Sequence, residues 1–252
     1  MTSRAGSTTT TPTSRRTDVA VRRTRVKVCC IESEAEARLA VGAGADALGL
    51  VSAMPSGPGV IDEELIRRIA TGAPPPVATF LLTPLTEPDA IVAQWRRCRT
   101  SVIQLVASLG AGPLAPAQVL AAVRAQLPGV KLVPVVHVEG EAALAEARTL
   151  AAAGADALLL DSGRPSAAVP ELGGTGRTHD WTLSRRIVAA SPVPVFLAGG
   201  LRAENVGAAI AAAAPFGVDV CSGVRRDGRL DPEALAAFLE AVREASAGPA
   251  GF

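Results

Sequence analysis

The 252-residue chain has no tyrosine, two tryptophans and five phenylalanines, so aromatics make up only 3% of it. A core of any size must then be built from Ala, Val, Leu and Ile. Lysine is nearly missing as well: Lys27 and Lys131 stand alone beside a large excess of arginine, which reads as coding bias and carries no functional message. No apolar run reaches the roughly 18 residues of a membrane span. HExxH, G-x-S-x-G, Walker A and G-x-G-x-x-G motifs are all lacking, which leaves zinc hydrolysis, serine hydrolysis, nucleoside triphosphate use and dinucleotide binding without support. The four cysteines, Cys29, Cys30, Cys98 and Cys221, form no C-x-x-C pair. A disulfide framework is unusual in a domain this large, so a reducing, cytoplasmic compartment is expected.

What is present is globular: 48% hydrophobic and 19% charged residues, enough chain for one large domain. The net charge of +1 is unevenly spread. Residues 1–24 hold five Arg and one Asp, a net +4, which leaves the rest of the chain at −3. That balance argues against a nucleic-acid surface on the folded part. The Ser/Thr/Arg-rich first 24 residues lack the apolar core of a secretory signal and the amphipathic pattern of a transit peptide. We expect a disordered tail over 1–24 and one folded domain over 25–246.

From residue 25 short apolar runs alternate with Ala-rich stretches of helical pattern. Strands are expected at Arg25–Ile31, Asp46–Ser52, Val77–Leu82, Ser101–Leu105, Val130–His137, Asp156–Asp161, Val193–Ala198 and Val218–Cys221. Helices are expected at Glu32–Val41, Glu63–Ala70, Pro88–Arg97, Pro116–Gln126, Glu141–Ala152, Trp181–Ala190, Ala203–Ala213 and Pro232–Ala245. Strands that are apolar end to end, each followed by a helix, indicate a parallel sheet covered by helices. Gly-Ala-Asp carries a helix into a strand twice, at Gly44–Asp46 and Gly154–Asp156, with the glycine suited to a left-handed helix end. Repetition in both halves favours an α/β fold of the (β/α)8 barrel type over an open sheet.

In such a barrel the chemistry sits at the C-terminal strand ends, and phosphate binds after strands seven and eight. Those ends offer Cys29, His137, Asp161, Gly199, Gly200, Ser222 and Gly223. Alternation along strand one puts Lys27 and Cys29 on the barrel interior and turns Val28 and Cys30 toward the helices. Cys29 reads either as a small buried residue or, as a thiolate, as a base or nucleophile. Asp161 ends the apolar run Leu158–Leu160; a carboxylate there costs desolvation unless paired, so catalysis or ligand binding explains it better than capping of the next loop. His137 has no evident partner, and His179, just before a helix, reads as a capping or surface residue. Gly173, Gly174, Thr175 and Gly176, with Gly199–Gly200 and Ser222–Gly223, supply backbone N–H groups that can surround an anion, so a phosphorylated small molecule is the expected ligand.

Taken together, Lys27-Val28-Cys29, Gly44–Gly49, Leu159–Asp161, Gly173–Thr178, Asp180-Trp181, Ala198–Leu201 and Val218–Val224 resemble the phosphoribosylanthranilate isomerase family, in order and across residues 25–245. The resemblance implies a cofactor-free and metal-free Amadori rearrangement in tryptophan biosynthesis. It assigns Cys29 as the base that removes the C2′ proton and Asp161 as the acid that protonates the furanose oxygen. It also implies a small phosphorylated sugar as partner, with no nucleic acid and no membrane; nothing in the sequence sets the oligomeric state. Three departures lie where the anthranilate would be held. Cys30 replaces the family's glycine, Ser56-Gly57-Pro58-Gly59 lacks its arginine after strand two, and Gln104-Leu105-Val106-Ala107 replaces Gln-Leu-His-Gly. A paralogous isomerase or lyase for another phosphosugar, or a non-catalytic phosphometabolite-binding barrel, is the alternative reading.

Overall fold

A computed structural model describes residues 23–55, 57–109, 112–163 and 178–247. Eight parallel strands close on themselves in chain order: β1 (Arg25–Val28), β2 (Ala47–Val51), β3 (Ala78–Thr83), β4 (Val102–Leu105), β5 (Lys131–His137), β6 (Leu158–Asp161), β7 (Val195–Leu197) and β8 (Gly217–Val220). Closure is made by β8 on β1, with Arg25 opposite Gly217, Lys27 opposite Asp219 and Val28 opposite Val220. The helices that alternate with them are α1 (Glu34–Ala43), α2 (Glu63–Gly72), α3 (Pro88–Cys98), α4 (Pro116–Gln126), α5 (Ala142–Ala152), α6 (Trp181–Ala190), α7 (Ala203–Ala213) and α8 (Pro232–Ser246). The expected (β/α)8 barrel is the observed one. The awaited helix and strand positions hold to within a few residues. Residues 1–22 of the expected tail and the Gly173–Gly176 segment fall outside the described residues.

Local chemistry explains the boundaries. Ser33, Asp62, Asp180 and Asp231 cap their helices by accepting first-turn backbone N–H groups. Pro88, Pro116 and Pro232 open helices where the missing N–H is no loss. The two Gly-Ala-Asp elements do more than stop a helix. Gly44 and Gly154 take left-handed φ values of 107° and 95°. Asp46 Oδ2 then accepts from Val26 N, and Asp156 Oδ2 from Leu132 N, each at 2.9 Å. Each aspartate thus fixes the start of the preceding strand as well as its own.

Period-two alternation splits the strand side chains into two cores. Val26, Val28, Leu48, Leu50, Leu81, Ile103, Leu132, Leu158, Leu160, Val218 and Val220 point out to the helices. Ala47, Val51, Phe80, Leu82, Val102, Val133, Val135, Leu159 and Phe196 fill the barrel. Two phenylalanines, Phe80 and Phe196, meet edge to face with centroids 6.0 Å apart, and small residues opposite make room for them. A Cβ on Gly217 would lie 2.7 Å from the Phe196 ring. Each fully buried Leu or Ile contributes roughly 1.5–3 kcal/mol, so an aliphatic core suffices despite the scarcity of aromatics.

Candidate active site

The C-terminal mouth gathers side chains from β1, β5, β6 and β8. Cys29 follows β1, is 6% exposed, and its backbone N–H donates to Val220 O at 2.8 Å. Below it Lys27 is wholly buried, with Nζ 2.9 Å from Asp219 Oδ2 and 5.3 Å from the Phe80 ring centroid. Gly49 on β2 leaves the gap they occupy: a Cβ there would stand 2.7 Å from Cys29 Sγ and 3.0 Å from Lys27 Nζ.

Cys30 departs from the expected alternation. Its φ of 60°, left-handed for a residue with a Cβ, turns its side chain away from the helices and into the interior cluster. There its sulfur accepts a hydrogen bond from the Cys221 thiol at 2.8 Å. Hydrogen bonding to Cys221 and Cys29, with burial, pushes the Cys30 thiol far up. Cys29 moves the other way: the Cys30 hydrogen bond and the Lys27 ammonium lower its pKa, against burial and Asp219. Burial disfavours the Lys27 ammonium, but Asp219 and the Cys29 sulfur more than offset it and raise its pKa.

Asp161 ends β6 on the interior face. Burial pushes its carboxyl up, against the Ser162 N–H that donates to Oδ1 at 2.7 Å, His137 and Lys27. His137 does have a partner in register, since it stands opposite Asp161 on the neighbouring strand. Its Nε2 lies 3.0 Å from Val106 O, which assigns the proton to Nε2, while Nδ1 has no hydrogen-bond partner among the described residues.

The loops after β7 and β8 adjoin. Gly199 and Gly200 are left-handed, with φ of 87° and 60°, and Ser222–Val224 form one 3₁₀ turn. A Cβ on Gly223 would come within 2.0 Å of Leu201 O, and one on Gly199 within 2.9 Å of Ser162 Oγ and 3.1 Å of His179 Nδ1. His179 is therefore no surface residue. Its Nε2 meets Ser184 Oγ at 2.7 Å, and burial lowers its pKa to about 4. Two residues that sequence reasoning passed over as site members are Lys27 and Asp219. Their signal was a charge in the middle of each apolar strand.

The arrangement joins a thiol lowered toward thiolate and a carboxyl raised toward the acid, the pairing that moves one proton on and one off a substrate. The family model described as N-(5'phosphoribosyl)anthranilate (PRA) isomerase matches residues 26–241. An N-(5'-phosphoribosyl)anthranilate isomerase from Methanocella arvoryzae is 37% identical, over 87% of this chain and 98% of its own. One from Haloferax volcanii is 40% identical, over 88% of this chain and 94% of its own. Among solved structures, a phosphoribosylanthranilate isomerase in complex with reduced 1-(o-carboxyphenylamino)-1-deoxyribulose 5-phosphate superposes with a TM-score of 0.70. It is 27% identical and covers 87% of this chain and 98% of its own.

Proposed function

The chain belongs to the N-(5'-phosphoribosyl)anthranilate isomerase family, and we propose that Cys29 and Asp161 are the base and acid of its rearrangement. The substrate is a phosphoribosyl aminal and the product an amino-ketose, made in tryptophan biosynthesis. Asp161, protonated, gives its proton to the furanose oxygen as the C1′–O bond breaks and the nitrogen lone pair forms the C1′=N bond. Cys29, as thiolate, removes the C2′ proton, and those electrons return the iminium to an enamine. The enol then tautomerises to the ketone as C1′ takes up one proton and the C2′ hydroxyl gives one up. A proton passed from Cys29 to Asp161 through solvent restores both groups, so atoms and charge balance without a cofactor.

The observation that carries this reading is the placement of a buried thiol just after β1 and a carboxylate at the end of β6 at one mouth of the closed barrel, where their surroundings favour thiol down and carboxyl up. The phosphate is read as lying against Gly199, Gly200, Ser222 and Gly223, with Gly173, Gly174, Thr175 and Gly176 completing the cradle. Small residues let backbone N–H groups approach it closely. The four free cysteines suit a reducing, cytoplasmic compartment, and among the described residues no helix is long and apolar enough to cross a membrane.

Turnover of N-(5'-phosphoribosyl)anthranilate by Cys29→Ser and Asp161→Asn proteins tests the assignment. Each falls by roughly 10²-fold or more with the fold intact. Full turnover in either variant removes that residue from its role.

A further inference from the structure

Lys27 is a charge that stability does not explain. Replacing a buried ion pair by well-packed apolar residues is often neutral or stabilising, and the remaining interior of this barrel below the mouth is largely aliphatic and aromatic. The pair nevertheless sits at the seam that closes the barrel, Lys27 on β1 opposite Asp219 on β8. The neighbouring strand on the other side places Gly49 there, whose missing side chain leaves Cys29 Sγ and Lys27 Nζ facing one space. From their distances to that vacant position the two atoms are at most 5.7 Å apart. An opposite charge within about 4–6 Å is close enough to favour the ionised form of a buried group.

We propose that Lys27, held in place by Asp219, is the positioning residue for the base: its ammonium is the counter-charge against which the Cys29 sulfur works as an anion. The inference rests on the reading of Cys29 as base. Asp219 anchors Nζ through one hydrogen bond at 2.9 Å; an ammonium carries three donors. Phe80 faces the ammonium as well, a ring contact that tolerates a desolvated cation.

The other charged or titratable groups that act on the thiol are Cys30 on its own chain segment and Asp219 from β8. Cys221, just after β8, and the Arg225 guanidinium stand beyond Cys30, the first on its sulfur and the second on its backbone carbonyl and near Cys221, while His137 from β5 faces Asp161 at the end of β6. β2 and β3 present Gly49 and Phe80 and add no charge. Lys27 is therefore the cation that faces the Cys29 thiol, and it serves two anions. Asp219 is the permanent one, and the thiolate is the one that forms for catalysis.

The two members of the pair should act on Cys29 with opposite signs, because the ammonium favours the thiolate and the Asp219 carboxylate opposes it. The experiment is the pH dependence of Cys29 alkylation by iodoacetamide, with the modified residue located by peptide fragmentation. In Lys27→Met the midpoint rises by about one pH unit or more, and in Asp219→Asn it falls. If Lys27→Met does not fold, the Lys27→Met/Asp219→Asn protein, which leaves no buried charge unpaired, is read instead, and its midpoint also rises. Lys27→Arg keeps the cation and keeps the midpoint within a few tenths of a unit. Midpoints that stay put, or that move the same way in Lys27→Met and Asp219→Asn, overturn the proposal. Failure of the underlying reading looks different, because Cys29→Ser would then turn over substrate at the full rate whatever the alkylation midpoints do.

Discussion

The Cys221 thiol donates to the Cys30 sulfur at 2.8 Å, across the seam where β8 meets β1. The contact exists because Cys30 holds a left-handed φ of 60°, which rotates its side chain from the helix side to the barrel mouth. Gly59 lies against it so closely that a Cβ there would come within 2.4 Å of Cys30 Cβ. One backbone angle thus joins the base's neighbour to both β8 and the loop after β2.

That angle makes Cys30→Gly an informative substitution. Holding the left-handed region costs a residue with a Cβ roughly 1–2 kcal/mol, which glycine avoids, while glycine adds about 0.5–1 kcal/mol of unfolded-chain entropy. The lost packing of one small thiol brings the sum close to zero. Denaturant unfolding should place Cys30→Gly within about 1 kcal/mol of the parent, and Cys30→Val about 2 kcal/mol or more below it. Since the Cys30 thiol supports the Cys29 thiolate, the Cys29 alkylation midpoint should rise in Cys30→Gly.

His179 sets a pH dependence of stability. Burial holds its folded-state pKa at about 4 against an ordinary value of 6.5, so the unfolded chain takes up the proton first. The stability linked to this group is complete above about pH 6.5 and is lost progressively as pH falls to about 4, with no further loss from it below. Unfolding free energies measured across that window should slope downward toward acid. The His179→Phe protein should have a shallower slope there, and an identical slope would show that the imidazole is not held neutral.

Much of this was legible in the sequence, for reasons that can be located. The barrel follows from local signals: apolar strands, capping residues such as Asp62 and Asp231, and the paired Gly-Ala-Asp elements. Cys29 and Asp161 could be singled out because each follows or ends an apolar run. The relationships between elements were not legible. Lys27 meets Asp219 across 192 residues of chain, and His137 meets Asp161 only through the β5–β6 register. Cys30 was misoriented because alternation assumes extended backbone, and no local motif announces a left-handed cysteine. His179 stands one residue before the cap position, and it is the neighbouring Asp180 that caps α6.

The glycine loops should bind an anion together. Gly223 touches the backbone of Leu201, and Gly199 faces Ser162 and His179, so the tips after β6, β7 and β8 share one space. A crystal soaked in sulfate should show the ion bound by the backbone of Gly199–Gly200 and Ser222–Gly223. In solution, inorganic phosphate should inhibit competitively. An ion bound at another place with this region empty would count against the cradle.

The loop after β2 leads to the last expectation. A carboxylate on an aromatic ring is best held in one orientation by a bidentate arginine, and residues 57–59 read Gly-Pro-Gly. They stand beside the base, since Gly59 abuts Cys30. Arg225 also reaches this side, but its guanidinium is committed to Glu36, to Gly228 O and to Cys30 O. The unmodified protein should then bind the anthranilate adduct weakly, with a Michaelis constant well above the low-micromolar range. Pro58→Arg leaves the left-handed Gly57 and Gly59 untouched and adds a charged donor at an exposed position. A charge-assisted hydrogen bond contributes roughly 1.5–3 kcal/mol, so the Michaelis constant should fall by roughly 10-fold or more while inhibition by inorganic phosphate stays the same. Steady-state kinetics on both proteins decide it. A low-micromolar constant in the unmodified protein, with no gain from Pro58→Arg, would mean that the ring carboxylate is held by a different part of the barrel mouth.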